Sequence, residues 1–163
     1  MKTNLFLAVF IAFLFTAACQ TQKEDKSIEQ EAETPVEVVE NFDCSHCGMP
    51  SKDFPKWNTT MKAEESVKMT CSPRCMFLID RNGEIQVEPS TVVDYFTTQP
   101  IDAKSAFYVA KSDVTGPMGH DFVPFDSKEA AEDFQKDHGG EVYAYDAVTM
   151  EVVESVINFS STK

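Results

Sequence analysis

Two short cysteine motifs contain the residues with the clearest chemistry. Cys44 and Cys47 are separated by two residues, and Met49 follows closely in the segment CSHCGM. Cys71 and Cys75 are four positions apart in CSPRC, which places both thiols on one face of a helical turn. Thiolates and thioethers are soft ligands that favour Cu(I), whereas four cysteines also supply the ligands of a tetrahedral Zn(II) site. The two motifs therefore predict a soft-metal site.

A methionine in a glycine-rich turn is the next candidate ligand. Met118 lies between Pro117 and Gly119 in the segment GPMGH, where few neighbouring side chains can bury it. Methionine usually fills hydrophobic cores, but this setting favours a thioether that is free to bind a metal. His120 follows the turn and is either a further ligand or a residue at the start of a strand.

Other interpretations of the cysteines stay open at this point. In an oxidising compartment a disulfide could join Cys44 to Cys47, Cys71 to Cys75, or one motif to the other. A thiol–disulfide oxidoreductase is less favoured, because Pro50 follows the CxxC segment closely and no thioredoxin-like βαβ pattern surrounds it. The sequence shows no nucleophile–base pair and no glycine-rich phosphate loop, so we predict that the chain is not an enzyme.

The N-terminal segment predicts export and lipid anchoring. Lys2 precedes the apolar run Leu5–Phe15, which is shorter than the ~20 residues that a bilayer-spanning helix needs. Two alanines and Cys19 follow, and this order is typical of a bacterial lipoprotein signal peptide over residues 1–18 with Cys19 as the lipidated residue. A signal peptide without lipidation is the alternative. The expected location is the cell envelope, facing the periplasm.

Amino-acid composition predicts a disordered segment after the signal peptide and argues against a nucleic-acid partner. Residues 19–42 are acidic and nearly lack large apolar side chains, which predicts a disordered tether. The whole chain has 27 acidic and 14 basic residues and a net charge of −13. Because nucleic-acid binding needs clustered Lys and Arg, we expect no nucleic-acid partner.

The remaining pattern predicts an α+β domain over residues 43–152, built of two small related ββαβ units. In the first unit, at about 43–100, a short strand over Val67–Thr70 precedes a helix that begins near Pro73 and stops at Asn82. A β-rich segment follows at Val92–Phe96.

The second unit, at about 101–152, repeats this order. Its predicted elements are strands at Ala106–Ala110 and His120–Phe125, a helix capped by Asp126 or Ser127 and closed by Gly139-Gly140, and a strand at Glu141–Asp146. Residues 153–163 are left as a C-terminal tail.

At these residues the sequence resembles the NosL family, the accessory proteins for nitrous oxide reductase. The resemblance covers most of the chain from Cys44 to about Val148. Its motifs are Cys47-Gly48-Met49, Asp94-Tyr95, Ile101-Asp102-Ala103, Gly116-Pro117-Met118-Gly119, Pro124-Phe125 and the helix end Ala131…Phe134…Gly139-Gly140.

The NosL resemblance implies a lipid-anchored Cu(I) chaperone composed of two related ββαβ units. Such a protein would pass copper to the membrane ABC-type assembly proteins that mature the reductase. The family's Cys-x-Met motif corresponds to Cys47 and Met49, and its methionine in the second unit corresponds to Met118. A homodimer is left open.

The extra cysteines resemble a second pattern. The spacing of Cys47, Cys71 and Cys75 is similar to that of TRASH modules in heavy-metal trafficking and sensing proteins. With Cys44 added, this resemblance implies a structural or sensory Zn(II) module instead of a copper chaperone.

Overall fold

The computed structural model describes residues 42–64, 66–83 and 85–160. The predicted signal peptide, the lipidation site Cys19 and the tether up to residue 41 lie outside these ranges. None of the helices within them is long and apolar enough to cross a membrane.

The first part of the described chain forms an antiparallel sheet and one helix. Its elements are a short 3-10 helix at Ser51–Asp53, β1 at Thr59–Lys62, β2 at Val67–Thr70, α1 at Pro73–Asn82, β3 at Glu88–Val93 and β4 at Pro100–Asp102. The strand order is β2-β1-β3-β4. Because β4 pairs with β3, this sheet continues slightly past the predicted boundary at residue 100.

The second part of the described chain repeats this arrangement. It contains β5 at Phe107–Gly116, β6 at Gly119–Phe125, α2 at Lys128–His138, β7 at Glu141–Ala144, a 3-10 helix at Tyr145–Ala147 and α3 at Met150–Ile157. Its strand order, β6-β5-β7, matches β2-β1-β3 in the first sheet, and each helix follows the second strand. The predicted α+β class with two related ββαβ units is confirmed.

Both predicted helices begin and end at their capping residues. In α1, Pro73 occupies the first turn, where its missing N–H costs nothing, and Gly83 ends the helix in a left-handed conformation with φ of +68°. In α2, the Ser127 side chain accepts a hydrogen bond from the N–H of Ala130. Ser127, and not Asp126, is therefore the N-cap.

The strand predicted at Val92–Phe96 ends earlier, at Val93. The buried carboxylate of Asp94 accepts hydrogen bonds from the N–H and the hydroxyl of Thr97, which closes a turn. Its other oxygen accepts from the N–H of Asp126, so the turn is also attached to the start of the second helix. This side-chain hydrogen bonding replaces strand pairing.

The segment left as a tail contributes to the core. Helix α3 begins at Met150, and the Thr149 side chain caps it by accepting from the N–H of Val152. Val153 and Val156 are buried. The last helix therefore packs into the domain, where it contacts α1 and β6.

The main hydrophobic core joins the two repeats. The Phe77 ring on α1 lies 4.9 Å from the rings of both Tyr108 on β5 and Phe122 on β6. All three side chains are fully buried. This packing holds the first helix against the second sheet and brings the start of α1 close to the turn between β5 and β6.

Candidate metal centre

Four cysteine thiols of the described chain meet at one point. The Sγ atoms of Cys44, Cys47, Cys71 and Cys75 all lie within 4.8 Å of one another. Cys71 Sγ is 3.6 Å from Cys47 Sγ and 3.7 Å from Cys75 Sγ, and the four thiols are free. A tetrahedral ion with metal–sulfur bonds of ~2.3 Å separates its sulfur ligands by ~3.8 Å. The cluster therefore has the dimensions of a metal site.

The CSHCGM segment closes into a tight loop through its own backbone. The N–H of Cys44 donates to the carbonyl of Met49 (2.7 Å), and the N–H of Gly48 donates to the carbonyl of Cys44 (2.8 Å). Gly48 has φ of +76°, a conformation that side chains disfavour. The N–H of Ser45 donates to the carbonyl of Met69 on β2. The loop thus presents its thiols beside the end of β2.

The second cysteine motif lies where β2 passes into α1. Cys71 follows the last residue of β2, and Cys75 lies in the first turn of α1. The hydroxyl of Thr70 donates to the carbonyl of Ser72 at 2.9 Å and fixes this junction. The junction between β2 and α1 therefore fixes the positions of both thiols in this motif.

Met118 lies in the tight turn between β5 and β6 and reaches the thiol cluster. Its Sδ atom is 3.4 Å from Cys75 Sγ, and the side chain remains 39% exposed. Met49 is half-buried and packs against the same cluster. The structure therefore brings both predicted methionines to the cysteines, and the thioether contact of Met118 is made with Cys75.

The predicted histidine ligand lies elsewhere. The His120 ring packs edge-on against Phe159 at 4.8 Å, and its buried Nδ1 has no hydrogen-bond partner among the described residues. His46 lines a surface pocket with Leu78 and Met150. Within the described chain, the group that could share one ion contains the four cysteines and neither histidine.

A buried arginine attaches the Met118 turn to α1. The Arg74 guanidinium donates to the carbonyls of Met118 (2.6 Å) and His120 (2.9 Å), while its main-chain N–H donates to Asp121 Oδ1 (2.8 Å). Arg74 is 6% exposed and Asp121 1%. Gly116 leaves the room this contact needs, because a Cβ there would lie 2.8 Å from Asp121 Oδ2.

Sequence reasoning missed both partners in this contact. The position of Arg74 could have indicated a structural role, since it is a charged residue between two cysteines at the start of an apolar helix. Nothing in the sequence around Asp121 indicates its role, because that role depends on a contact with a residue 47 positions away. Burial raises the pKa of Asp121 to about 6, so the carboxyl is ionised at neutral pH.

The thiols of the cluster ionise unequally. A hydrogen bond from the Cys75 thiol, helped by nearby backbone N–H groups, lowers the pKa of Cys44 to about 4 despite its burial. Burial, followed by repulsion from the Cys44 thiolate, raises the pKa of Cys71 to about 12. The hydrogen bond that Cys75 donates to Cys44, together with burial, raises the pKa of Cys75. Cys44 is therefore a thiolate at neutral pH, whereas Cys71 and Cys75 keep their protons.

We expect metal-free, reduced protein to retain a thiolate well below the ordinary thiol pKa of about 8.5. Because the pKa of Cys44 is about 4, its ultraviolet thiolate absorbance should disappear only on acidification through that value. Cys44→Ser should remove this acid step and Cys47→Ser should keep it. A titration whose first step lies near the ordinary thiol pKa would contradict the assignment.

We also expect Arg74→Met to loosen the Met118 turn. Hydrogen bonds to charged groups contribute about 1.5–3 kcal/mol each, so amide hydrogens of residues 115–122 should exchange roughly tenfold faster or more. Arg81→Met is the matched control, since Arg81 donates to the carbonyls of Tyr145 and Val148 instead. Equal exchange in this turn for both variants would show that Arg74 does not hold it.

Comparison with known proteins agrees with this fold. The NosL family model matches residues 35–153. The copper-binding lipoprotein NosL of Stutzerimonas stutzeri is 26% identical over 162 residues, covering 91% of this chain and 80% of the relative. The crystal structure of the copper chaperone NosL from Shewanella denitrificans superposes with a TM-score of 0.63 at 29% identity, covering 72% of this chain and 99% of that one. Because the family model spans most of the sequence, this chain belongs to the NosL family.

Proposed function

We propose that this protein is a Cu(I)-binding chaperone, anchored to a membrane through Cys19, that delivers copper for the maturation of nitrous oxide reductase. One observation carries the copper assignment: four cysteine thiols converge within 4.8 Å, and the Met118 thioether lies 3.4 Å from one of them. Two relatives whose names describe copper binding or a copper chaperone support it.

The chemistry of the ligands favours Cu(I) over other ions. Every side chain at the centre offers sulfur, and soft thiolate and thioether ligands select Cu(I) over hard cations. Structural Zn(II) sites use cysteine, histidine and carboxylate ligands, so a thioether beside the thiols has no role in them. The contact between Met118 and Cys75 therefore favours copper over zinc.

Exposure of the ligands suits a protein that passes its metal on. Met118 is 39% exposed and Cys47 is half-buried, whereas Cys44, Cys71 and Cys75 are buried. A thiol or thioether of a receiving protein can reach the exposed ligands first and displace them one at a time. The buried thiols hold the ion until that exchange begins.

The side chains around the cysteine cluster suit metal binding and transfer better than catalysis. The buried carboxylate of Asp121 accepts hydrogen bonds through Oδ1 from the N–H groups of Arg74 and Phe122, which both lie in the protein backbone. The relatives are named as copper-binding or chaperone proteins. We infer that the chain is not an enzyme.

A zinc module is the second candidate function. Four thiols within 4.8 Å of one another match a tetrahedral four-cysteine site without help from Met118. This alternative predicts one Zn(II) per chain, unfolding on chelation, and no effect of removing Met118.

The location and partners follow from the N-terminus and the family. The signal sequence and Cys19 favour a lipid anchor on the periplasmic side, and one relative is named as a lipoprotein. We propose that the receiving partners are the membrane ABC-type assembly proteins of the reductase.

Copper affinity tests the metal assignment. In competition with a Cu(I) chelator, Cys47→Ser and Met118→Ala should each weaken binding by about tenfold or more, equal to about 1.4 kcal/mol, because each removes a sulfur ligand. Met150→Ala is the control, as this methionine packs against the main core and is not among the side chains packed against the cysteine cluster. Unchanged affinity in both ligand variants would exclude the proposed site.

Fractionation of cells tests the anchor. The full-length protein should remain with the membranes, and Cys19→Ser should move it to the soluble envelope fraction because the acylated residue is lost. Cys47→Ser should leave the distribution unchanged. Membrane retention of the Cys19 variant would argue against lipidation at this residue.

A further inference from the structure

The centre holds more sulfur than one Cu(I) ion uses. Cu(I) has a filled d shell and is satisfied by roughly two or three soft donors. The structure places four thiols within 4.8 Å of one another, the Met118 thioether lies 3.4 Å from the thiol of Cys75, and Met49 packs against the cluster. A single ion with two or three sulfur ligands therefore leaves some of these sulfur atoms without a ligand role.

The four thiols form one cluster, and a row of sulfur contacts runs through it from Cys47 to Met118. The distances from Cys47 to Cys71, from Cys71 to Cys75 and from Cys75 to Met118 are 3.6, 3.7 and 3.4 Å. Each is close to the ~3.8 Å edge between sulfur ligands that share one metal ion. The row therefore offers more than one place for an ion, and Cys71 lies in its middle.

Two thiols, those of Cys71 and Cys75, are fully buried. The thiol of Cys75 contacts those of Cys44 and Cys71 and the Met118 thioether. The thiol of Cys71 lies between those of Cys47 and Cys75, so its sulfur is placed to bind two ions. A thiolate sulfur has several lone pairs and can bind two metal ions, whereas a thioether normally binds one. Cys47 and Met118, at the ends of the row, are the more exposed members.

Charge also favours a second ion. Four thiolates around one Cu(I) carry three net negative charges, and buried uncompensated charge is costly. A second Cu(I) changes the net charge of the cluster from −3 to −2. Protonation of some thiols would also reduce the negative charge of the cluster. A thiol that keeps its proton does not bind the ion as a thiolate, however, so part of the sulfur would have no ligand role.

We propose that the centre binds two Cu(I) ions per chain, one held mainly by Cys44 and Cys47 and the other by Cys75 and Met118, with the Cys71 thiolate bridging them. This inference rests on the proposed copper function and extends it from a single ion to a pair. Each Cu(I) replaces thiol protons, which leave to solvent, and no electron is transferred.

Stoichiometry tests the proposal. The full-length reduced chain, in detergent and without oxygen, should take up two Cu(I) from a competing chelator, and native mass spectrometry should show both. X-ray absorption of this form should contain a copper–copper contribution. Cys71→Ser should lose that contribution and reduce uptake from two ions to one. Met150→Ala, as the control, should keep two.

A second variant keeps the test informative if the Cys71 variant does not fold. Met118 is partly exposed and lies in a turn, so Met118→Ala should fold normally and hold one ion tightly instead of two. Uptake of one Cu(I) by the unaltered chain would overturn the pair but leave the copper chaperone intact. Failure to bind Cu(I), with one Zn(II) held instead, would overturn both. Two ions in Met118→Ala with an unchanged copper–copper signal would also overturn the assigned arrangement.

Discussion

The candidate centre depends on one buried contact between the two repeats, made by Arg74. The guanidinium and main-chain N–H of this residue hold the Met118 turn and Asp121 against the start of α1. Cys75 lies one residue further along the same helical turn. Packing of Phe77 on the second sheet brings the helix and the hairpin together, and the Arg74 contact attaches the Met118 turn itself to the start of α1. The positive charge of Arg74 is therefore a structural element beside a candidate site whose converging side chains all carry sulfur.

That contact also explains the use of glycine and aspartate in the β5–β6 hairpin. Asp121 is buried under Gly116, and a side chain at position 116 would press on its carboxylate. A carboxylate in such a place costs free energy unless it accepts hydrogen bonds, and the N–H groups of Arg74 and Phe122 provide them. The hairpin is thus fixed by polar contacts at its base while Met118 stays reachable at its tip.

The sequence predicts which sulfur residues are candidate ligands, but not what surrounds them. Residue type and short spacing single out Cys44, Cys47 and Met118 as candidates, and a repeating pattern of strands, caps and glycines predicts the two ββαβ units. Helix α3 was missed because its valines and isoleucine have low intrinsic helix propensity, so that packing against α1 decides its structure. The contact of Met118 with Cys75 depends on the long-range packing of α1 on β6, which short sequence patterns do not encode.

The repeated fold contains two equivalent junctions between a hairpin and a helix, and only one of them carries sulfur. After β2 the chain continues as Cys71 and Ser72, whereas the corresponding position after β6 holds Asp126 and Ser127. The reverse holds for the hairpin tips, since the β5–β6 turn carries a methionine and no methionine lies between β1 and β2. The two units are therefore chemically unlike: the first supplies the four thiols and the second supplies the Met118 thioether that lies against them. A fold with two similar units contains a single asymmetric sulfur centre among the described residues.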